Sequence, residues 1–201
     1  MTGGGTRLPV IGGVQPPAAA PGFERIAIIG LGTLGGSLAA AVRQAWPRSL
    51  VIGVDTRDVI ETAMRLHAID VGSDDLMIAG DADLVVLAGG DAESARVLPH
   101  LADAVAGEAI VLALGGGSAV TERAGGLPGR LPLVLGLPAV ELRGRGIHAS
   151  SADLFRGRRW TITPITALPE AVERIHGLVR AVGGDPVAGS GRRPGGQADA
   201  L

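Results

Sequence analysis

Three glycines and one aspartate are the residues whose types and spacing most clearly predict a binding site. Gly30, Gly32 and Gly35 form a Gly-x-Gly-x-x-Gly pattern that follows the apolar run 26–29. In such a turn one glycine makes the tight bend, the second lets the backbone approach a pyrophosphate, and the third lets a helix pack closely on a strand. Asp55 lies 25 positions after Gly30, at the end of the next apolar run, where a carboxylate binds ribose hydroxyls. These four residues predict a dinucleotide site.

The elements that must hold these residues alternate between strands and helices. Apolar runs predict six strands, near residues 26–29, 50–54, 83–88, 109–114, 131–135 and 160–163. Helical spacing predicts helices within 34–45, 57–68, 74–79, 91–106, 121–124 and 168–182. Pro99 is expected to divide the fourth of these helices. The alternation predicts an α/β fold with a doubly wound, mostly parallel sheet, which is the Rossmann NAD(P)-binding architecture.

Low-complexity ends set the expected domain limits. Residues 1–22 and 186–201 are rich in glycine, proline and alanine, which predicts a flexible leader and a flexible tail. The dinucleotide-binding domain is expected to span 23–185, with regular structure ending after Gly183. Within it, residues 70–72 are predicted to form a turn and residues 136–159 an irregular crossing.

Composition excludes several classes of partner. All 18 basic residues are arginine, the net charge is −2 and the two signs are interspersed, so no nucleic acid is expected. The absence of cysteine excludes disulfides and thiolate metal sites, and no cluster of acids or histidines has metal-ligand spacing. The sequence has no signal-like N-terminus and no apolar run of the ~20 residues that a membrane helix needs. We therefore expect a cytoplasmic protein that binds no metal and no membrane.

Several segments together carry a family resemblance. They are the glycine turn with Gly-Gly-Ser-Leu at 35–38, the run 82–88, Asp-Leu-Phe at 153–155 and Trp-x-x-Thr-Pro at 160–164. Over residues 24–185 the chain resembles the prephenate dehydrogenase family, whose members oxidise prephenate or arogenate with NAD or NADP and release carbon dioxide in tyrosine biosynthesis. The resemblance implies an oxidoreductase in which a helical dimerisation domain follows the nucleotide domain and completes the substrate pocket. Because the chain stops where that domain would begin, we expect it to be absent.

The resemblance implies a cofactor site made by the glycine turn, the acid after the second strand and the loops after later strands. The cofactor-binding residues predicted in this way are Gly30, Gly32, Thr33, Leu34, Gly35, Asp55, Arg57, Ala88, Gly89 and Gly115. A carboxylate at Asp55 favours NAD because it repels the 2′-phosphate of NADP. Arg57 keeps NADP open, although an exposed arginine at the start of a helix explains this residue equally well.

Two positions depart from the catalytic pattern of that family. Gly116 stands where the family's Asp-x-Gly-Ser-x-Lys segment has serine. Leu137, between Gly136 and Pro138, stands where the family's Gly-His-Pro segment has histidine. The resemblance gives this histidine the task of taking the proton from the substrate hydroxyl as hydride leaves, and a hydrocarbon side chain cannot accept a proton.

Four residues are candidates to replace the missing groups. Ser118 is a candidate catalytic hydroxyl, but the interpretation we favour is that it caps the following helix. His148 is a candidate catalytic imidazole, with an exposed surface histidine as the favoured alternative. Arg143 and Arg145 are candidate substrate ligands because a guanidinium matches a carboxylate; charges that keep an exposed loop soluble are the alternative.

The sequence leaves two main hypotheses for function. The first is an NAD-linked prephenate or arogenate dehydrogenase that works with a partner protein supplying the missing domain, or on an altered substrate. The second is a catalytically inactive NAD(H)-binding pseudoenzyme or regulatory module, which Leu137 and Gly116 favour. The intact glycine turn and Asp55 indicate that binding persists without catalysis, because the two use separate residues. A third hypothesis, a β-hydroxyacid dehydrogenase, requires a catalytic lysine, and the sequence has no lysine.

Overall fold

The computed structural model describes residues 22–115 and 117–189, which form an eight-stranded sheet with helices on both faces. The strands are β1 Arg25–Ile29, β2 Leu50–Val54, β3 Val71–Ser73, β4 Leu84–Leu87, β5 Ile110–Leu114, β6 Leu133–Pro138, β7 Arg159–Pro164 and β8 Asp185–Ala188. Their spatial order is β3-β2-β1-β4-β5-β6-β7-β8. Strands β1 to β6 run parallel, β7 runs antiparallel to β6, and β8 runs parallel to β7. The predicted doubly wound, mostly parallel α/β fold is confirmed.

Helices connect most of the strands. In the described part of the chain they are α1 Thr33–Ala45, α2 Arg57–Arg65, α3 Asp91–Val97, α4 Leu101–Ala104, α5 Ser118–Arg123 and α6 Pro169–Ala181. Short 3₁₀ turns lie at Leu76–Ala79, Leu98–His100, Ala124–Gly126 and Ile147–Ala149. The division of the predicted helix 91–106 at Pro99 is confirmed, since α3 and α4 are separated by the 3₁₀ turn that contains this proline.

Alternating residues of the central strands face two separate apolar layers. In β1, Ile26 and Ile28 are buried in a layer with α1, α2 and α6, whereas Ala27 and Ile29 are buried in a layer with α3, α4 and α5. Both faces of the sheet are therefore covered, as parallel sheets require. This double coverage explains why the central strands are continuous apolar runs in the sequence.

The structure corrects the predictions at both edges of the sheet. Residues 71 and 72, predicted as part of a turn, belong to β3, which pairs with β2. Regular structure does not end at Gly183, because β8 follows it and pairs with β7, so the predicted domain limit at 185 falls inside a strand. An edge strand is covered on fewer sides and lacks the long apolar run by which a central strand is recognised. Pro186 is accommodated in β8 because an edge strand tolerates a missing N–H.

Some predictions fall on residues that the structure does not describe. Residues 1–21 hold almost all of the predicted leader, residues 190–201 hold most of the predicted tail, and Gly116 lies between the two described ranges. Within the described ranges, none of the helices has the length and apolarity needed to span a bilayer.

Candidate functional site

The strand order creates a crevice at the carboxyl ends of β1 and β4. These strands are neighbours, but the chain leaves β1 toward β2 and β3 and leaves β4 toward β5 and β6. The loops after them therefore diverge, and ligands of open α/β sheets bind in the space between such loops. The predicted cofactor residues follow β1, β2, β4 and β5, so the fold brings their loops to this one edge.

The glycine turn after β1 has a different steric reason for each glycine. Gly30 has φ +90°, and a Cβ there would lie 2.7 Å from the amide nitrogen of Gly89 in the loop after β4. A Cβ on Gly35 would lie only 1.9 Å from the carbonyl oxygen of Gly30. By contrast, a Cβ on Gly32 would have no neighbour within 4 Å. Gly30 and Gly35 thus satisfy internal packing, and Gly32 faces open space.

The first turn of α1 begins beside this open space. Gly32 is its N-cap residue, and no side chain makes a capping hydrogen bond there. The first amides of a helix have no partner within the helix and carry a partial positive charge. An anionic group beside Gly32 would therefore meet N–H donors and no side chain, which is the arrangement that binds a diphosphate.

Asp55 connects the end of β2 to the glycine turn. Its Oδ2 accepts a hydrogen bond from the amide of Leu31 at 2.6 Å, and its Oδ1 accepts one from the amide of Thr56 at 2.7 Å. The carboxylate remains partly exposed, and it lines a pocket of about 310 Å³. The pocket is formed by Ile29, Val54, Asp55, Thr56, Asp74, Leu76, Glu93 and Val97. Arg57 is exposed at the first position of α2.

Sequence reasoning assigned only Asp55 of these residues to the site. Among those it missed are Leu76, Glu93 and Val97. They come from the 3₁₀ turn Leu76–Ala79 and from α3, and no motif in the sequence connects those segments with Asp55. The pocket adjoins Asp55 and combines apolar side chains with the carboxylates of Asp74 and Glu93. Its apolar side chains suit a flat heterocycle such as adenine.

Hydrogen bonds hold the loop between β6 and β7 against α1. The Thr33 hydroxyl lies 3.2 and 3.1 Å from the carbonyl oxygens of Gly144 and Gly146, within donating distance of both. The buried Ser37 hydroxyl donates to the carbonyl oxygen of Thr33 at 2.6 Å and accepts from the amide of Ser151 at 2.9 Å. The Thr33 side chain is thus directed to the loop, which leaves its backbone amide as the group able to meet a ligand.

Gly36, the second of the paired glycines, is explained by the same loop. A Cβ at this position would lie 2.4 Å from Cδ1 of Ile147. Ile147 is buried against the layer that contains α1 and α2. The Gly-Gly-Ser part of the motif therefore serves packing of the β6–β7 loop as well as the glycine turn.

The four weak candidates do not form one catalytic group. Arg143, Arg145 and His148 are all exposed on the β6–β7 loop. The turn that carries His148 packs against α1 and α2 on one face of the sheet, whereas α5, which begins at Ser118, packs on the other face. The structure therefore does not bring His148 and Ser118 together.

The favoured interpretation of Ser118 as a helix cap is wrong. Gly117 is the N-cap residue of α5, and Ser118 is an exposed residue within the helix. The capping group comes from α3: Asp91 accepts hydrogen bonds from the amides of Ala119 and Val120 at 3.4 and 3.2 Å. The carboxylate of Asp91, from α3, therefore caps α5 in place of Ser118.

The position of the family's histidine lies at the carboxyl end of β6. Leu137 is paired with Thr161 of β7, and 51% of the leucine remains exposed. Its neighbour Gly136 accepts a hydrogen bond from the amide of Gly115 at 3.1 Å, which connects this strand end to the loop after β5. The end of β6 therefore presents a half-exposed hydrocarbon. Among the described residues, no group of three or more His, Asp or Glu could hold a metal ion.

Comparisons with known proteins agree with this geometry. The family model for the prephenate dehydrogenase nucleotide-binding domain matches residues 38–188. The solved prephenate dehydrogenase from Aquifex aeolicus is 24% identical, with a TM-score of 0.76 over 82% of this chain and 61% of that one. Another structure of the Aquifex aeolicus enzyme is a complex with hydroxyphenyl propionate and NAD⁺.

Other solved structures share the fold at lower identity. The arogenate dehydrogenase from Synechocystis is 21% identical, with a TM-score of 0.73 over 83% of this chain and 59% of that one. A pyrroline-5-carboxylate reductase from Coxiella burnetii is 18% identical, with a TM-score of 0.62 over 83% of this chain and 58% of that one. A search of curated protein sequences returned no match. The chain thus spans about 60% of the length of these structural relatives.

Proposed function

Because this chain belongs to the family of prephenate dehydrogenase nucleotide-binding domains, we propose that its carboxyl edge binds a nicotinamide dinucleotide and prefers NAD(H). The observation that carries the proposal is the open space at Gly32 beside the uncapped start of α1. The diphosphate would lie on the first amides of α1, with one ribose at Asp55 and the adenine in the adjoining pocket. When bound, the nicotinamide ring supplies hydride transfer.

The preference for NAD(H) is supported by the geometry of Asp55. Two backbone amides, those of Leu31 and Thr56, hold its carboxylate at the end of β2. A carboxylate in this place accepts hydrogen bonds from ribose hydroxyls and repels a 2′-phosphate. Arg57 lies exposed two residues after Asp55 and makes no ion pair with a described residue, so it is the group through which NADP(H) would be accommodated if the preference were reversed.

Binding is tested by titrating NADH into the protein by calorimetry, with Gly32→Ala and Gly107→Ala as a matched pair. An added Cβ has no neighbour within 4 Å at either position, so both variants should fold like the wild type. We expect Gly32→Ala to lose about a hundredfold in affinity, close to 2.7 kcal/mol, because its methyl group occupies the diphosphate position. Gly107 lies before β5, at the amino ends of the parallel strands, so Gly107→Ala should bind NADH normally. Equal affinities for all three proteins would refute the proposed site.

We further propose that this domain does not by itself move the substrate proton. Leu137 offers no proton acceptor at the end of β6, and Ser118 and His148 lie on opposite faces of the sheet. The function best supported is therefore an NAD(H)-binding module without turnover. The assay is absorbance at 340 nm with NAD and either prephenate or arogenate. A flat trace from protein that binds NADH is expected, and steady NADH formation would establish a dehydrogenase instead.

A second candidate function is the dehydrogenase reaction itself, completed by another polypeptide. The observation in its favour is the half-exposed side chain of Leu137, because the surface at the end of β6 is open to a group from outside this domain. In that case Arg143 and Arg145, exposed on the adjoining loop, are the residues suited to a substrate carboxylate. Turnover that appears only when a partner protein is added would support this candidate.

A further inference from the structure

Asp91 connects the two loops that follow β4 and β5. It is the first residue of α3, directly after the loop 88–90. Its Oδ1 accepts a hydrogen bond from the amide of Val120 at 3.2 Å, and its Oδ2 accepts one from the amide of Ala119 at 3.4 Å. Both amides belong to the first turn of α5, which follows the loop after β5. One side chain thus holds two loops that are far apart in sequence.

Gly117 is shaped to receive this carboxylate. A Cβ on Gly117 would lie 1.6 Å from Cγ of Asp91. The backbone of Gly117 has φ −108° and ψ 152°, which any residue adopts without strain. Glycine is therefore needed here for the space that Asp91 fills and not for its backbone conformation. Asp91 and Gly117 form a matched pair.

The loop after β4 and the start of α5 lie at the same end of the sheet as the glycine turn. A dinucleotide with its diphosphate and adenosine half at β1 and β2 would extend its nicotinamide half across the switch point toward β4 and β5. Strands β4 and β5 are parallel neighbours, with Leu87 beside Ala113, so their following loops emerge together at the carboxyl edge. The glycine turn and Asp55, which serve the diphosphate and the adenosine half, follow β1 and β2 and make no described hydrogen bond with Asp91. The two halves of the cofactor would thus depend on separate sets of contacts.

We propose that Asp91 is a positioning residue that sets the spacing between the loop after β4 and the start of α5 for the nicotinamide ring of the dinucleotide. This inference rests on the proposed function. Asp91 acts through its bonds to α5 and does not itself touch the cofactor. Its charge is favourable in this place because it lies at the N-terminal ends of both α3 and α5.

The test compares two ligands, NADH and ADP-ribose, which lacks the nicotinamide ring. For Asp91→Ala we expect the Kd for NADH to rise about tenfold, while the Kd for ADP-ribose stays within about twofold of the wild type. Unchanged binding of ADP-ribose would also show that the variant is folded. Asp91→Asn keeps an acceptor for α5 and should recover most of the NADH affinity. The control is Asp153→Ala, whose exposed carboxylate pairs with Arg156 on the β6–β7 loop.

A double-mutant cycle with Gly117→Ala tests the mechanism. The added methyl group displaces the Asp91 carboxylate, so Gly117→Ala alone should weaken NADH binding about as much as Asp91→Ala. The two changes disrupt one contact, so the double variant should be no weaker than either single variant. Losses that add, or an Asp91→Ala variant that weakens both ligands equally or neither, would overturn this inference alone. A wild type that binds neither NADH nor ADP-ribose would overturn the proposed function as well.

Discussion

The carboxyl ends of β1 and β2, the first half of this edge of the sheet, differ from those of β4 to β6, the second half, in the groups that they present and in the contacts that hold their loops. At β1 and β2, the site consists of backbone amides and one carboxylate, held by contacts that a side chain on Gly30 or Gly35 would break. At β4 to β6, glycine-rich loops are joined by Asp91, and the strand end carries Leu137. The first half presents backbone amides and a carboxylate, whereas the end of β6 in the second half presents a half-exposed hydrocarbon side chain.

Under the proposed function, cofactor binding and proton transfer therefore depend on separate parts of the molecule. Diphosphate binding by main-chain amides depends on the path of the backbone, which packing between the glycine turn and the loop after β4 maintains. The resemblance implies that proton transfer depends on a single side chain at the end of β6, where Leu137 pairs with Thr161 of β7. If the first half is the more constrained, substitutions there will cost more stability and affinity than substitutions in the second half.

The largest effect is expected for Gly35→Ala. The added Cβ would lie 1.9 Å from the carbonyl oxygen of Gly30, so α1 must move away from the glycine turn. We expect a loss of about 3 kcal/mol in the free energy of unfolding, as for other overpacked sites, together with loss of NADH binding. Urea titration of this variant beside Gly125→Ala, where a Cβ has no neighbour within 4 Å, measures the difference. A stable Gly35→Ala protein would remove the steric argument for this half.

Ser37→Ala should produce the next largest effect on stability. The hydroxyl is fully buried, donates to the carbonyl oxygen of Thr33 and accepts from the amide of Ser151. Its removal leaves the amide of Ser151 without this partner, which costs about 1–2 kcal/mol. Urea titration provides the value, and faster amide exchange at residues 144–151 would show that the β6–β7 loop has loosened. A loss below about 0.5 kcal/mol would mean that the loop is held by other contacts.

Asp55→Asn should change cofactor choice with little change in stability. The amide oxygen can still accept from the amide of Leu31, but the negative charge that repels a 2′-phosphate is gone. We expect NADH affinity to fall about tenfold, equivalent to 1.4 kcal/mol, and the preference for NADH over NADPH to disappear. Titrations with both cofactors measure the ratio, with Asp58→Asn on the exposed start of α2 as control. An unchanged ratio would assign cofactor choice to other residues.

Ser118→Ala is expected to have the smallest effect. The side chain is exposed and the helix is capped by Asp91, so unfolding should change by less than about 0.5 kcal/mol. In the same urea titrations, Asp91→Ala should cost about 1 kcal/mol, a typical value for a lost helix cap. The reverse order of the two effects would reinstate Ser118 as the cap.

The sequence predicted the parts of the fold that local patterns encode. The central strands are apolar runs because both faces of the sheet are covered, and the order of strands and helices follows from their alternation along the chain. Edge strand β3 has a single large apolar residue, Val71, and β8 contains Pro186, so neither has the pattern of a central strand.

The candidate site was predictable where a local motif or a known spacing marks it. Gly30, Gly32 and Gly35 lie within six residues, and Asp55 follows Gly30 at the spacing expected of a ribose-binding acid. The role of Asp91 depends on a contact across 28 residues with Ala119, and the need for glycine at position 117 depends on that same contact. Such pairings arise from the packing of distant elements and leave no local pattern.

Binding of the diphosphate at the glycine turn is tested most directly by amide hydrogen exchange with and without NADH. Saturating NADH should slow exchange in the glycine turn and the first turn of α1, residues 30–35, because these amides would hold the diphosphate. Amides around Gly107, at the amino ends of the parallel strands, should show the same exchange with and without NADH. Unchanged exchange at residues 30–35 in millimolar NADH would show that the diphosphate does not bind at these amides.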